Sequence, residues 1–230
     1  MNRKLNLSLL SQLLVLFAAL GWAGVCFGDK LPFLTIGTGN TTGVYYSAGH
    51  AVAKVYNPSG SKHGFLLDAE ASNGSVDNIN KVLDGTWEFG LAQADMLFKV
   101  QEGLGPWEGT PHQNLRAVAS LYTEAVLFVA RKDQEIRTLA DLRGKTLNIG
   151  APGSSDHENA LLILEAAGLK PETDLTIKEQ ETVDASDLLE AGDIDAYIYT
   201  VGHPNMSIRE AAVGGRKIRL VPVDPPLVEE

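Results

Sequence analysis

The chain has 230 residues, 44% hydrophobic and 21% charged, which is the composition of a globular protein with enough apolar residues for a sizeable core. Its formal net charge of −10 at pH 7 argues against a nucleic-acid partner, because an acidic surface repels phosphate backbones. The single cysteine, Cys26, excludes a disulfide within the chain and a zinc–thiolate cluster.

The N-terminus has the layout of a secretion signal. Arg3 and Lys4 precede an apolar run at 13–20, and small residues follow as far as Gly28. The run is short for a transmembrane span of about 20 residues. We therefore expect a signal peptide at residues 1–28 and export from the cytoplasm, with a retained membrane anchor as the alternative.

The first half after this segment alternates short apolar runs with helical patterns. The sequence predicts strands and helices in this chain order: a strand at 34–38, a helix at 43–56, a strand at 64–70, a helix at 75–83 and a strand at 89–92. This order predicts a parallel sheet covered by helices on both faces.

A glycine-rich turn joins the first strand to the first helix. Gly37, Gly39 and Gly43 allow the backbone to approach a bound anion closely, and the free N–H groups at a helix start attract negative charge. The spacing is one residue longer than that of the dinucleotide-binding fingerprint, but Asp68 or Glu70 could supply its acidic residue. A dinucleotide-dependent oxidoreductase therefore remains an alternative to a receptor for a small carboxylate.

Polar side chains follow each of these strands, where ligands of open α/β sheets bind. Ser75 could cap the second helix, with Asn78 in place of the usual Glu, but capping explains only one of several hydrogen-bonding groups. Our candidate ligand contacts in this half are Thr38, Tyr45, Ser72, Asn73, Ser75 and Gln93.

The second half repeats the pattern of strand, turn and helix. It predicts strands at 116–121, 125–130, 146–150, 175–179, 196–199 and 217–221, and helices at 156–167, 185–191 and 204–212. We expect lobe 1 at 29–122 and lobe 2 at 123–230, a hinge near 120–130, and a ligand in the cleft between the lobes.

Two stretches of the second half carry candidate contacts. Ser154 and Ser155 follow a strand and begin a helix, and Tyr199 and Asn205 follow a later strand. The adjacent Ser, Asp and His at 155–157 do not predict a hydrolase, because a catalytic triad is assembled from separate elements and no Gly-x-Ser-x-Gly turn is present. Metal binding there is also unexpected, since neighbouring helix residues point apart. We expect no catalytic residues, no metal and no cofactor.

Five motifs in order resemble the TAXI family, the solute-binding subunits of TRAP (tripartite ATP-independent periplasmic) transporters. They are GTGNTTGVYY at 37–46, SNGSVDN at 72–78, LAQAD at 91–95, GAPGS at 150–154 and YTVGHP at 199–204. The resemblance covers roughly residues 33–224. It implies a monomeric periplasmic receptor with the two-lobed α/β fold of type II binding proteins, with parallel-rich sheets flanked by helices. It also implies a glutamate-like amino acid or dicarboxylate as the small acidic solute and membrane permease subunits as partners.

The chain departs from this family at its C-terminus. Family members continue beyond the equivalent of Asp224 through helices that return to lobe 1 and brace both lobes, so the fold is expected to be C-terminally short. A chain without the brace could be a truncated fragment that binds nothing, which is the third alternative. We predict a receptor that captures a small carboxylate and catalyses no reaction.

Overall fold

The computed structural model describes residues 30–223. The predicted signal peptide at 1–28 and the chain after residue 223, including the site of the expected C-terminal departure, lie outside the described residues. No helix in the described part is both long enough and apolar enough to cross a bilayer.

The first sheet has three parallel strands in the order β2-β1-β3. Its strands are β1 (Phe33–Gly37), β2 (Leu66–Glu70) and β3 (Phe89–Gly90). The helices of this half are α1 (Val44–Tyr56), α2 (Gly60–His63), α3 (Ser75–Leu83) and α4 (Ala94–Glu102). Because the strands are parallel, the segments that follow them emerge at the same edge of the sheet.

The second sheet has five strands in the order β6-β5-β7-β4-β8. They are β4 (Ala125–Arg131), β5 (Thr146–Asn148), β6 (Thr176–Lys178), β7 (Ala196–Val201) and β8 (Ile218–Leu220). The helices of this half are α5 (Ser155–Ala166), α6 (Pro171–Asp174), α7 (Ala185–Ala191) and α8 (Met206–Val213).

The second sheet is mixed, which corrects the expectation of two parallel sheets. Strand β4 pairs antiparallel with both β7 and β8, whereas β5 pairs parallel with β6 and β7. A strand buried on both faces is apolar along its length in either orientation, so the sequence pattern does not encode its direction.

The main core lies on the second sheet. Phe128, Leu147 and Ile198 are each at most 1% exposed and belong to one apolar cluster that also includes residues of α5. Strand β7 is buried along almost its whole length. Contacts of this kind fix the sheet that supports the segments at 149–155 and 200–205.

The strand predicted at 116–121 is wrong. The segment is irregular and mostly exposed, and Val118 is 81% exposed. Its apolar residues predict a strand, but none of the strands within 30–223 pairs with it, and an isolated extended segment does not form a sheet. The segment instead leads from the first half of the chain into β4.

Candidate functional site

A buried asparagine holds the ends of β1 and β3 together. The Asn78 Nδ2 group donates to the carbonyl of Thr38 at 2.6 Å and to that of Leu91 at 2.7 Å, and Asn78 is fully buried. The Ser72 hydroxyl also donates to the Thr38 carbonyl, at 3.0 Å. These bonds fix the backbone where the polar motifs of the first half begin.

The glycine-rich turn after β1 closes on itself. Gly43 N–H donates to the Asn40 carbonyl at 2.8 Å, and Thr42 N–H donates to Asn40 Oδ1 at 3.1 Å. Two of the amide groups that we expected to hold an anion are therefore used inside the turn. Gly39 and Gly43 still line the cavity described below.

The two sheets are joined by hydrogen bonds between their polar loops. The Ser75 hydroxyl, which is fully buried, donates to Ser155 Oγ at 3.1 Å and accepts from the Gln93 N–H at 3.1 Å. Asn159 Nδ2 donates to Gln93 Oε1 at 2.8 Å and to Thr200 Oγ1 at 3.2 Å. The start of α3 and the start of α5 therefore face each other.

A cavity of about 80 Å³ lies where these loops meet. At about 10–15 Å³ for one water, it has room for about five to eight water-sized groups, which suits a small solute. The first half supplies Gly39, Asn40, Gly43, Val44, Tyr45, Asn73, Gly74 and Gln93, and the second supplies Ser154, Ser155, Asp156, Glu181, Thr182, Val183, Tyr199, Thr200 and Val201. Glu124, just before β4, completes the lining.

The structure brings six of the ten candidate residues to this cavity: Tyr45, Asn73, Gln93, Ser154, Ser155 and Tyr199. They come from both halves of the chain, as the cleft hypothesis requires. Two of these side chains also bond to protein groups. Ser154 Oγ caps α5 by accepting from His157 N–H at 3.2 Å, and Gln93 Oε1 accepts from Asn159 as described above.

The other four candidates do not line the cavity, and the structure gives their side chains internal partners. Thr38 Oγ1 donates to the Glu70 carbonyl at 2.6 Å, and Asn205 caps α8 by accepting from Ile208 N–H at 3.0 Å. The hydroxyls of Ser72 and Ser75 make the bonds already described. Strand ends and helix starts need such partners for their own backbone groups, and a short polar side chain close in sequence supplies them.

Three carboxyl groups in the lining were missed at the sequence level. Asp156 lies in the first turn of α5, Glu181 follows β6, and Glu124 lies within the expected hinge. An acidic residue at a strand end or a helix start is common on protein surfaces. These three carboxyl groups are therefore recognised as site residues only because the folded chain brings them to one cavity. None of the residues of 30–223 that line the cavity is a lysine, an arginine or a histidine.

Burial raises the pKa of all three carboxyl groups. Burial is the main cause at Asp156, whose pKa rises to about 7; the bond from Thr200 N–H at 2.8 Å opposes the rise, and the charges of Glu124 and Glu181 add to it. Burial likewise raises the pKa of Glu124, and the Tyr45 hydroxyl, which donates to Glu124 Oε2 at 3.1 Å, opposes the rise. The Glu181 pKa is raised by burial and then by Asp184.

In the described part of the chain, no three acidic, histidine or cysteine side chains are placed to hold a metal ion.

The raised pKa of Asp156 predicts that folding stability falls as pH rises. The native state keeps this proton up to about pH 7, whereas an unfolded chain loses it near the ordinary value of 3.8. The free energy of unfolding therefore falls progressively as pH rises between these two values. Above them it stays at its lower value. We expect Asp156→Asn to stabilise the protein by about 2–4 kcal/mol at pH 8 and by less than about 1 kcal/mol at pH 4, at about 1.4 kcal/mol per pKa unit.

Urea unfolding of the two proteins at pH 4, 6 and 8 measures this difference. Glu165→Gln is the matched control, since it removes an exposed carboxylate from the same helix, and it should change stability by less than about 0.5 kcal/mol at each pH. An Asp156→Asn effect that is the same at all three pH values would contradict the assignment.

The NMT1-like family profile matches residues 36–230. Solved structures with similar folds include the alkanesulfonate-binding protein SsuA from Xanthomonas axonopodis pv. citri bound to MOPS, with a TM-score of 0.53, 18% identity and coverage of 86% of this chain and 63% of that one. The GluR0 ligand-binding core from Nostoc punctiforme in complex with L-glutamate has a TM-score of 0.52 at 16% identity over 83% of this chain and 78% of that one. A substrate-binding protein of an ABC uptake transporter from Streptococcus pneumoniae, with bound histidine, has a TM-score of 0.52 at 19% identity over 83% and 74%.

These structures confirm the predicted fold class, an α/β fold of the type II periplasmic binding proteins, here with one parallel and one mixed sheet flanked by helices. The chain spans less than two thirds of the SsuA structure that it matches.

Proposed function

Because the chain belongs to the NMT1-like family, we propose that it is the solute-binding receptor of a membrane transporter, without an enzymatic activity of its own. The observation that carries this proposal is the cavity of about 80 Å³ to which the loops of both sheets contribute. Receptors of this kind capture a solute between two bodies and close over it by a hinge motion.

The distribution of strands supports the two proposed lobes. Strands β1 to β3 lie within 29–122, and β4 to β8 lie within 123–230. The proposed hinge at 120–130 includes Glu124, whose carboxyl group accepts a hydrogen bond from Tyr45 in α1. A hinge residue that bonds to the opposite lobe would link the closure of the lobes to the presence of a solute in the cavity.

The finer parts of this proposal are a TRAP-type transporter, a periplasmic location and a monomeric state. They rest on the five sequence motifs and on the predicted signal peptide. The partners would be the permease subunits, which receive the solute from the closed receptor.

A thermal-shift screen of the purified full chain tests the receptor function. The compounds are amino acids, alkanesulfonates and dicarboxylates, each at millimolar concentration. A ligand at about 100 times its Kd adds about 2.7 kcal/mol to the stability of the folded state. For a chain of this size we therefore expect the Tm to rise by about 5–10 °C with at least one compound.

Gln93→Ala should reduce this rise, since Gln93 lines the cavity and is only 9% exposed. Gln113→Ala is the matched control, because Gln113 is exposed and does not line the cavity. If the chain unfolds cooperatively and no compound moves its Tm, the receptor proposal is wrong.

A further inference from the structure

We propose that the solute carries a protonated amino group and that Glu124 and Asp156 bind it. This inference rests on the proposed receptor function and narrows its substrate class. Of the two solute classes that the resemblance implies, a glutamate-like amino acid satisfies this inference and a dicarboxylate does not.

The charge of the cavity lining is the first support. Glu124, Asp156 and Glu181 are acidic, and the described part of the lining has no basic side chain to neutralise them. A dicarboxylate placed here would meet like charges at close range in a partly dehydrated site, where such repulsion is strong. A cation is attracted by the same groups.

The two carboxyl groups belong to different structural elements that face the same cavity. Asp156 is in the first turn of α5, and its Oδ1 accepts from Thr200 N–H at 2.8 Å. Glu124 precedes β4, and its Oε2 accepts from the Tyr45 hydroxyl at 3.1 Å. These bonds orient each carboxyl group, and Asp156 and Glu124 have a further donor each, Thr182 and Gln93 respectively. A carboxylate has about four lone-pair sites, so each group can still accept from a ligand.

A protonated amine fits this arrangement better than a metal ion does. The described residues contain no group of three acidic, histidine or cysteine side chains spaced to coordinate a metal. An ammonium group has three N–H donors that point in different directions, so it can bond to separate acceptors. Charge-assisted bonds of this type are about twice as strong as neutral ones.

Buried polar groups on the other side of the lining indicate where the remainder of the solute would bind. Tyr199 is 5% exposed and lines the cavity, and its hydroxyl lies beside the Asn205 side chain. Ser155 is 6% exposed, and its hydroxyl accepts from Ser75. A tyrosine hydroxyl can both accept and donate, so Tyr199 can donate to an acidic or carbonyl oxygen of the solute.

Titration of Asp156 gives this proposal a second signature. The titratable groups that face Asp156 from other elements are Glu124, Glu181 and Tyr199. On its own helix the neighbouring titratable groups are His157 and Glu158, and Glu179 lies beside His157. With a pKa of about 7, Asp156 is partly protonated at neutral pH. A cationic ligand favours the ionised form, so binding should release protons, whereas an anionic ligand should take protons up.

The experiment compares compounds that differ only in the amino group. Isothermal titration of the full chain at pH 7.0 uses three pairs: glutamate and glutarate, alanine and propionate, and taurine and ethanesulfonate. We expect the amino member of any pair that binds to bind at least about tenfold more tightly. Titration in two buffers with different ionisation enthalpies should show protons released on binding.

Two variants assign the effect to the carboxyl groups. Glu124→Gln keeps an acceptor for Tyr45 but removes the charge, and it should weaken the amino compound about 10- to 100-fold. Asp156→Asn should abolish the proton release. Glu165→Gln, an exposed charge removed elsewhere on α5, should leave the Kd unchanged.

The outcomes separate this inference from the receptor function. If the compounds without an amino group bind as tightly as their partners, or binding takes up protons, the protein is a receptor but the amine assignment is wrong. If no compound of the six or of the wider screen binds to a cooperatively folded chain, both proposals are wrong.

Discussion

Asn78→Ala should lower the free energy of unfolding by about 2–4 kcal/mol. The substitution removes both donors of a fully buried amide, so the Leu91 carbonyl loses its side-chain partner and the Thr38 carbonyl keeps only the bond from the Ser72 hydroxyl. An unsatisfied buried group costs about 1–3 kcal/mol, and the loss of one hydrogen bond costs about 1 kcal/mol. Since these carbonyls belong to the segments after β1 and β3, the loss also loosens the edge of the sheet that carries the cavity.

Asn80→Ala, on the same helix, is the matched control. Asn80 is exposed and accepts one hydrogen bond from Trp107 Nε1 at 2.9 Å, so its loss should cost about 1 kcal/mol. Urea unfolding monitored by circular dichroism compares the two variants. Equal costs would show that Asn78 does not hold the strand ends together.

Phe128→Ala should lower the free energy of unfolding by about 3–5 kcal/mol. Phe128 is 1% exposed in the centre of β4 and packs in the main core of the second sheet. Removing a buried aromatic ring loses its burial energy and leaves a cavity that the surrounding side chains fill only in part.

Val126→Ala separates this packing effect from a general effect on the strand. Val126 lies on the same face of β4, two residues earlier, but it is 39% exposed. It should cost less than about 1 kcal/mol in the same denaturant titration. A Phe128→Ala cost near that of Val126→Ala would contradict the described core.

The sequence predicted local structure well where one face of an element is buried. The helix predicted at 75–83 is found at Ser75–Leu83, and the helix predicted at 185–191 is found at Ala185–Ala191. Side-chain periodicity reports which face is buried, and that information is contained in a short stretch of chain. Parallel order also predicted that polar segments after the strands converge, and six of ten candidate residues do line one cavity.

The tertiary structure decided which groups each polar side chain contacts. Thr38 and Ser75 satisfy the protein's own polar groups, whereas Glu124 and Asp156 face the cavity, although nothing local distinguishes these two sets. It also decided the direction of β4, and it left 116–121 without a partner among the described strands. Periodicity depends on near neighbours along the chain, but hydrogen-bond partners and the charge of a cavity depend on residues that are distant in sequence and become neighbours only when the chain folds.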